Sequence, residues 1–315
     1  MSSPLFSADA GQYKVGNQAT DAIQGLLESL ELPYLSERSV KCLPGRWSSQ
    51  RCLFMVPLET APSDVLSPAL ERLLADLGMA GEYIAESLAP LNRHDVADPP
   101  PSRPTYLHLG VEGDRCKIYW EDKRPDTPSR EKRFVLYRAW KWRANEPVAR
   151  SDYVLLTTAS DARRAIEQEL AAATTNPLHD VLEQLQVSFA LQQEPWPPLT
   201  VRIEETQNGR PTGRDSLNLH VNRALLPLGT IAGTMFSLAR DWQSAPRETL
   251  IDWIAGHGNE VLSNISFGRN EAGQPFVTCY HGAKRHHPHK IDTLNQSDRI
   301  PGSPRRAREQ STPTA

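Results

Sequence analysis

The stretch YLHLGVEGDRCKIYWE, residues 106–121, decides the fold, because polar and apolar side chains alternate on both sides of its Gly113-Asp114 turn. Side chains in a β-strand alternate between two faces. The polar ones share one face of a predicted hairpin: Tyr106, His108, Glu112, Arg115, Lys117 and Tyr119. The apolar ones share the other: Leu107, Leu109, Val111, Cys116, Ile118 and Trp120. If helices pack on the apolar face, the polar face must point at water or into a lumen.

Four more strand pairs are predicted by similar signals, in which strand-like segments are separated by turn residues. They cover residues 39–43 with 50–58, 133–143 with 153–157, 199–205 with 214–222, and 261–268 with 274–281. Residues 133–143 also fit a helix, because Phe134, Tyr137 and Trp140 have helical spacing.

Apolar residues at helical spacing predict helices between these pairs. They cover residues 17–30, 63–77, 82–91, 160–191 with a break near Asn176-Pro177, 227–242 and 246–257. Hairpins make the sheet antiparallel, and helices on one face of it indicate an α+β fold. About ten antiparallel strands in five pairs can close into a barrel that holds a ligand, with the amphipathic helices outside.

Composition sets limits on the partners and the location of the protein. The 315 residues are 39% hydrophobic and 23% charged, with a formal net charge of −3, which gives no reason to expect nucleic acid or an anionic membrane as a partner. No apolar run reaches the roughly 18 residues that would span a bilayer, and residues 1–16 lack the pattern of a signal peptide. We expect a flexible N-terminus over residues 1–16, a single domain over 17–281, and a disordered tail over 282–315.

The cysteines and histidines indicate neither disulfides nor a metal centre. The four cysteines form no C-x-x-C pair, which favours buried free thiols in a reducing cytoplasm: Cys42, Cys52, Cys116 and Cys279. Four histidines stand at the start of the predicted tail, where nothing fixes their geometry: His281, His286, His287 and His289. We therefore predict no metal site and no cofactor.

Several segments carry a resemblance to a known family. Lys117-Ile118-Tyr119 gives Lys-x-Tyr on a polar strand face, RCLF over residues 51–54 precedes Pro57, and PFVTCY ends the last hairpin at residues 275–280. With these segments the chain resembles the aromatic prenyltransferases of the ABBA, or prenyltransferase-barrel, family, and is nearest to the branch similar to dimethylallyltryptophan synthase. The resemblance covers roughly residues 17–281. It implies repeated ααββ units, ten antiparallel strands in a closed barrel, and a polar lumen.

The resemblance also implies a reaction, the transfer of an allylic prenyl group from its diphosphate to an indole or phenolic acceptor in specialised metabolism. Fixed cations and hydroxyl donors would stabilise the departing diphosphate, and aromatic faces would shield the allylic cation. The candidate substrate-binding residues are Arg51, Lys117, Tyr119, Tyr137, Lys141, Arg202 and Tyr280. The proton released from the ring needs a base, for which the candidates are Glu37, His108 and His220.

Two alternatives to an enzyme remain open at this point. The polar strand faces suit a non-catalytic barrel or sheet protein that binds an anionic small molecule, or a protein that docks a partner subunit. The Asp-Asp-x-x-Asp motif of Mg²⁺-dependent isoprenyl synthases is absent from the sequence, which favours a site that holds diphosphate with cations. We expect Trp120, Trp140 and Trp142 to pack in the core rather than shield a cation.

Overall fold

The computed structural model describes residues 9–91, 103–124, 133–144, 146–172 and 177–287. Its centre is one antiparallel sheet, whose strands in chain order are β1 (Tyr34–Leu43), β2 (Arg46–Ser48), β3 (Arg51–Pro57), β4 (Tyr106–Glu112), β5 (Arg115–Glu121), β6 (Val135–Trp142), β7 (Ala149–Leu155), β8 (Thr200–Gln207), β9 (Arg210–Pro211), β10 (Asp215–His220), β11 (Leu262–Arg269) and β12 (Pro275–His286).

Ten of these strands close into a barrel, and the short strands β2 and β9 only extend the hairpins that follow β1 and β8. The order around the barrel is β10, β11, β12, β1, β3, β4, β5, β6, β7 and β8. The barrel closes where β8 pairs with β10, with Leu217 opposite Arg202. Closure leaves no unpaired edge among the ten strands.

Helices cover the outside of the barrel. They are α1 (Asp9–Ser29), α2 (Ser63–Asp76), α3 (Gly81–Leu88), α4 (Ala159–Ala172), α5 (Pro177–Leu191), α6 (Ala232–Asp241) and α7 (Arg247–His257). Short turns join β4 to β5 and β11 to β12 at one end of the barrel, which we call the turn end. The connections that contain α2 to α7 all leave and re-enter at the opposite end, the helix end. In the part of the chain that the structure describes, none of these helices has the length and apolar character needed to cross a membrane.

Two apolar cores lie between the helices and the outer face of the barrel. One packs α1, α2 and α3 on β3, β4, β5 and β6, and the other packs α5, α6 and α7 on β1, β10, β11 and β12. The three tryptophans belong to the first core, as predicted. Each indole N–H also finds an acceptor on the helical layer: Trp120 donates to the Ser87 carbonyl, Trp140 to Glu86 and Trp142 to the Leu77 carbonyl. Burial of these rings therefore leaves their N–H groups satisfied.

The sequence predictions are confirmed for the fold class, the hairpins and the order of the elements, and residues 135–142 form a strand rather than a helix. Three element boundaries differ from the predicted ranges. β1 begins at Tyr34 rather than residue 39, because it has pairing partners on both β12 and β3 along that half. β12 continues to His286, beyond the predicted domain end at residue 281, because it pairs with Tyr34 and its neighbours. α1 begins at Asp9, inside the segment predicted to be flexible.

The rest of both predicted terminal segments, residues 1–8 and 288–315, lies outside the described residues. All four cysteines are free, and three of them are buried, as predicted; Cys52 is half-buried.

Candidate active site

The polar strand faces point into the barrel, where they line a cavity. It reaches from Arg51 and Lys117 near the turn end to His108 and His220 near the helix end. The apolar residues of the same strands, such as Leu107 and Ile118, lie in the outer core. The alternation along β4 and β5 therefore separates a lumen from a helix-covered face, as the period of a strand requires.

A carboxylate with three cations occupies the turn end. Glu112, the last residue of β4, pairs with Lys117 at 2.5 Å, with Lys41 at 3.7 Å, and with the guanidinium of Arg51. The Arg51 Nε also donates to the Ser39 hydroxyl at 3.0 Å. Lys41 and Arg51 are buried, and Glu112 and Lys117 are mostly so, which means that each charge relies on its neighbours for the stabilisation that water gives outside.

A second ion cluster continues around the same end. Lys141 on β6 donates to Glu205 on β8 at 2.6 Å, and Ser151 and Thr212 donate to the same carboxylate at 3.0 and 3.2 Å. Arg115 pairs with Glu271 at 2.8 Å. Arg214, which precedes β10, lies 5.3 Å from the ring centroid of Phe276, and Lys41 lies 4.7 Å from the same ring.

The pKa values of these groups follow from burial and from their partners. Burial alone would raise the pKa of Glu112, but Arg51, Lys117 and Lys41 together lower it well below its usual value. Burial alone would also raise the pKa of Glu205, but Lys141 and Arg214 lower it to about 2. Burial is also the main cause that lowers the pKa of Lys41 and of Lys141 to about 8. Burial also lowers the pKa of Lys117 well below its usual value, against the opposing effect of Glu112. Glu112, Glu205, Lys41 and Lys141 are therefore mainly charged near pH 7.

The two ion clusters contain more basic than acidic side chains. Six of their described side chains are basic: Lys41, Arg51, Arg115, Lys117, Lys141 and Arg214. Three are carboxylates, Glu112, Glu205 and Glu271, so basic groups outnumber acidic ones in these clusters. An anion with several charges and several acceptor oxygens would find complementary groups here.

Aromatic side chains form a belt across the middle of the lumen. The ring of Tyr153 lies 5.7 Å from Tyr119 and 5.6 Å from Tyr137, both edge to face. Tyr280, on the opposite part of the wall, lines the same cavity. Burial raises the pKa of all four phenols, so they stay protonated and can donate hydrogen bonds.

Two histidines and a glutamate lie toward the helix end. His108 contacts Glu121 at 2.8 Å, and the ring of His220 stacks on Tyr137 with centroids 6.1 Å apart. Burial lowers the pKa of His220 to about 4, so its imidazole is neutral at pH 7. Glu37 is buried and accepts a hydrogen bond from Ser263. Burial raises the pKa of Glu37 to about 7, against the opposing effect of that hydrogen bond.

Of the ten predicted site residues, seven line the lumen cavity: Arg51, His108, Lys117, Tyr119, Tyr137, His220 and Tyr280. Glu37 is buried with Ser263, and Lys141 is buried with Glu205 in the second ion cluster. Arg202 corrects the prediction. Its neighbours on β8, Ile203 and Glu205, face inward, so the Arg202 side chain faces outward and pairs with Asp215 at 3.0 Å. The reason is that the inner wall is apolar on either side of Arg202, where Ile203 lines the cavity and Val201 packs with Leu155 and Leu136.

Several residues of the site were missed from the sequence. Lys41 could have been found, because Glu37, Ser39 and Lys41 alternate along β1. Tyr153 is the third residue from the end of β7, but the predicted strand began at that residue, which left its face undetermined. Arg214 could also have been found, because it begins the predicted strand 214–222 in phase with Asn218 and His220, although it precedes β10 in the structure.

Comparison with known proteins gives the fold a name. No protein-family model and no curated protein sequence matches this chain. Solved structures do. The 5-dimethylallyltryptophan synthase of Streptomyces coelicolor is 13% identical, with a TM-score of 0.53 over 89% of this chain and 92% of that one. The prenyltransferase PriB, in a ternary complex with L-tryptophan and dimethylallyl thiolodiphosphate, is also 13% identical, with a TM-score of 0.53 over 86% and 92%.

This chain has the prenyltransferase-barrel fold. The Streptomyces synthase in complex with DMASPP and Trp agrees, at 12% identity and a TM-score of 0.50 over 96% of this chain and 94% of that one. At identities this low, the structural similarity establishes only the barrel and its helical cover. What the lumen of this chain binds must be argued from its own residues.

Proposed function

We propose that this protein transfers an allylic group from its diphosphate to an aromatic acceptor such as an indole or a phenol. In this reaction the bond between the allylic carbon and the diphosphate oxygen breaks, and a bond from the allylic carbon to a ring carbon forms. The same ring carbon then loses its proton to a base. The observation that carries the proposal is the polarity of the lumen, with cations at the turn end, tyrosines in the middle and candidate bases toward the helix end.

The turn end suits the diphosphate of the donor. Negative charge grows on the leaving group as the bond breaks, and fixed cations in a partly dry site stabilise it more strongly than water does. Arg51 offers a planar fork of donors, while Lys117 and Lys141 act as point charges. Glu112 and Glu205 pair with these cations, so the diphosphate would take over contacts that the two carboxylates make.

The tyrosine belt suits the allylic cation. The faces of aromatic rings attract a cation within about 6 Å of the centroid, and the ring of Tyr153 lies beside those of Tyr119 and Tyr137 in the same cavity. Their neutral hydroxyls add donors for the diphosphate without adding negative charge near it. The belt therefore supports both the carbocation and its leaving group.

Glu37 is our preferred base among the three candidates. A catalytic base works best when its pKa lies near the working pH, and the pKa of Glu37 is raised to about 7. The imidazole of His220 is a weaker base, since its pKa is lowered to about 4. His108 is engaged with Glu121.

The ligands of the related structures point the same way. PriB was crystallised with L-tryptophan and dimethylallyl thiolodiphosphate, and the Streptomyces synthase with DMASPP and Trp. An allylic diphosphate and an aromatic amine or indole are the two classes of ligand that the charged end and the aromatic belt of this lumen would accept.

The test is to incubate the purified protein with dimethylallyl diphosphate and a panel of indoles and phenols, and to look for product by mass spectrometry. We expect an acceptor to gain the mass of one dimethylallyl group. Replacing Lys117 with Ala removes a charge-assisted contact worth roughly 1.5–3 kcal/mol, so donor binding should weaken by about tenfold or more.

Arg202 provides the matched control, because it is a cation on the same sheet whose side chain faces outward. Arg202→Ala should leave product formation unchanged. Absence of product with every acceptor, together with tight binding of diphosphate to the lumen, would instead favour the reading of a non-catalytic barrel that binds an anionic small molecule.

A further inference from the structure

A second group of ionisable side chains lies outside the lumen, where the C-terminal end of α7 meets β12. It consists of His257, the last residue of α7, Glu260 in the following loop, and His281 on β12. The His281 Nδ1 is 2.6 Å from Glu260 Oε2, and the His257 Nδ1 is 3.1 Å from Glu260 Oε1. One potential ligand atom from each residue lies within 4.8 Å of the others.

This group belongs to a different compartment from the proposed active site. Tyr280 lines the lumen, and the next residue, His281, faces the helical layer, where it lies edge-on to the ring of Trp253 at 5.9 Å. His281 is buried, while His257 and Glu260 are partly exposed. Solvent therefore reaches the cluster from one side only.

The local backbone keeps room for the glutamate. Gly282 adopts a φ of +67°, and a Cβ at this position would overlap Glu260 Oε2. The pairing of β12 shifts register on both sides of this point, between Ser36 and Arg38 on β1 and between Leu262 and Asn264 on β11. Bulges of this kind re-aim side chains next to functional sites. Here the two bulges lie beside His281, a buried side chain that would otherwise only pack in the core.

We propose that His257, Glu260 and His281 bind one divalent transition-metal ion, of which Zn²⁺ is the best fit. Two imidazole nitrogens and one carboxylate oxygen form a three-ligand protein set for zinc, and the partly open side leaves a fourth position for water. The ion would replace the shared hydrogen bonds that now join each imidazole to the carboxylate. It would link the end of α7 to β12 and so fasten the helical layer to the barrel.

One neighbouring cation must be taken into account. Arg38 Nη1 lies 3.3 Å from Glu260 Oε1, but its side chain is 61% exposed. An exposed arginine can swing into water at little cost, since surface ion pairs contribute about 0–1 kcal/mol. Arg38 therefore competes only weakly for the carboxylate.

The experiment uses the full chain, stripped of metal with a chelator that is then removed, and titrated with ZnCl₂ and separately with CoCl₂. We expect one equivalent of metal to be retained after gel filtration, a higher Tm with Zn²⁺, and visible absorption bands of four-coordinate Co²⁺. His257→Ala and Glu260→Gln, at partly exposed positions, should each weaken binding at least tenfold, and His281→Ala should do the same.

Two controls separate this site from adventitious binding. His179→Ala removes an exposed histidine of α5, and the double variant H287A/H289A removes histidines beyond β12. Both should bind metal as the wild type does. The proposal is overturned if the wild type retains no metal, if His257→Ala and Glu260→Gln bind it undiminished, or if the H287A/H289A variant loses it. Because none of these readouts uses the transfer reaction, they are independent of the proposed activity.

Discussion

At the scale of single residues, the fold shifts the pKa of Glu37 in the direction that suits a catalytic base. Its carboxylate accepts a hydrogen bond from Ser263, and burial raises its pKa from an ordinary value of 4.5 to about 7. The folded protein therefore holds the proton of Glu37 more tightly than the unfolded chain does. Between pH 4.5 and 7 this group makes the protein less stable as the pH rises.

Replacing Glu37 with Gln should remove that pH dependence. A shift from 4.5 to about 7 corresponds to about 3 kcal/mol. We expect the free energy of unfolding of Glu37→Gln, relative to the wild type, to increase by about this amount between pH 4.5 and 7.5 and to stay level above that range. Urea unfolding at a series of pH values measures it. Glu71→Gln, on the exposed face of α2, is the control, and a pH-independent difference for Glu37→Gln would contradict the assignment.

Glu112 is the residue that the proposed donor must displace. It is the shared partner of Lys41, Arg51 and Lys117. In Glu112→Gln those cations lose their buried counter-ion, which should lower the free energy of unfolding by about 3–5 kcal/mol. The same change should make inorganic diphosphate bind tighter, by about tenfold, because no carboxylate then competes for the cations.

Isothermal titration with inorganic diphosphate and urea unfolding together test this pair of effects. Glu204→Gln, an exposed carboxylate on the outer face of β8, should change neither quantity. Weaker binding of diphosphate to Glu112→Gln would mean that Glu112 positions the cations for the ligand rather than competing with it.

At the scale of elements, the junction between β10 and β11 depends on one glycine. Gly268 pairs with Ser216 and has a φ of +129°, a region that only glycine visits readily. A Cβ there would overlap the Asp215 carbonyl oxygen and lie 2.7 Å from the Ser216 Cα. Side chains therefore cannot be added at this position without moving the neighbouring strand.

Gly268→Ala should lower the free energy of unfolding by more than about 2 kcal/mol, since backbone strain of about 1–3 kcal/mol adds to the steric overlap. Gly113→Ala is the matched comparison, because Gly113 also has a positive φ, +59°, but nothing lies within 4 Å of its Cβ position. It should cost only about 1 kcal/mol. Equal losses in the two variants would show that close packing at Gly268 is unimportant.

The elements also show what the sequence could predict. The alternation in residues 106–121 predicts a hairpin with one polar face. It therefore placed His108, Lys117 and Tyr119 on the same face, and in the structure that face lines the lumen. Arg202 was misplaced because the same rule, polar inside and apolar outside, reverses on β8. There Val201 and Ile203 form an apolar patch of the inner wall. Which face of a strand meets the lumen depends on its neighbours in the barrel, and a single strand does not encode them.

The ion clusters could not be predicted from the sequence. Glu112 belonged to the polar face of its predicted hairpin with Lys117, but its other two cations, Lys41 and Arg51, come from strands that are distant in the chain. Arg214 and Glu271 reach the turn end from loops. Such contacts depend on how the barrel closes, which periodicity alone does not specify.

At the scale of the whole molecule, the two ion clusters of the barrel hold more basic than acidic side chains, within a protein whose net charge is −3. Ligands that bind only the folded state stabilise it, by about 2.7 kcal/mol at one hundred times Kd. We therefore expect inorganic diphosphate to raise the Tm more than sulfate at matched ionic strength, and Lys141→Ala to reduce this rise. Equal shifts with both anions would indicate a general effect of salt.

The most direct measurement is a crystal structure of the protein with dimethylallyl thiolodiphosphate. We expect the diphosphate at the turn end, within hydrogen-bond distance of Arg51, Lys117 and Lys141, and the dimethylallyl group against the ring of Tyr119 or Tyr153. A diphosphate bound at the helix end of the lumen, or on the outer surface while the lumen stays empty, would contradict this expectation.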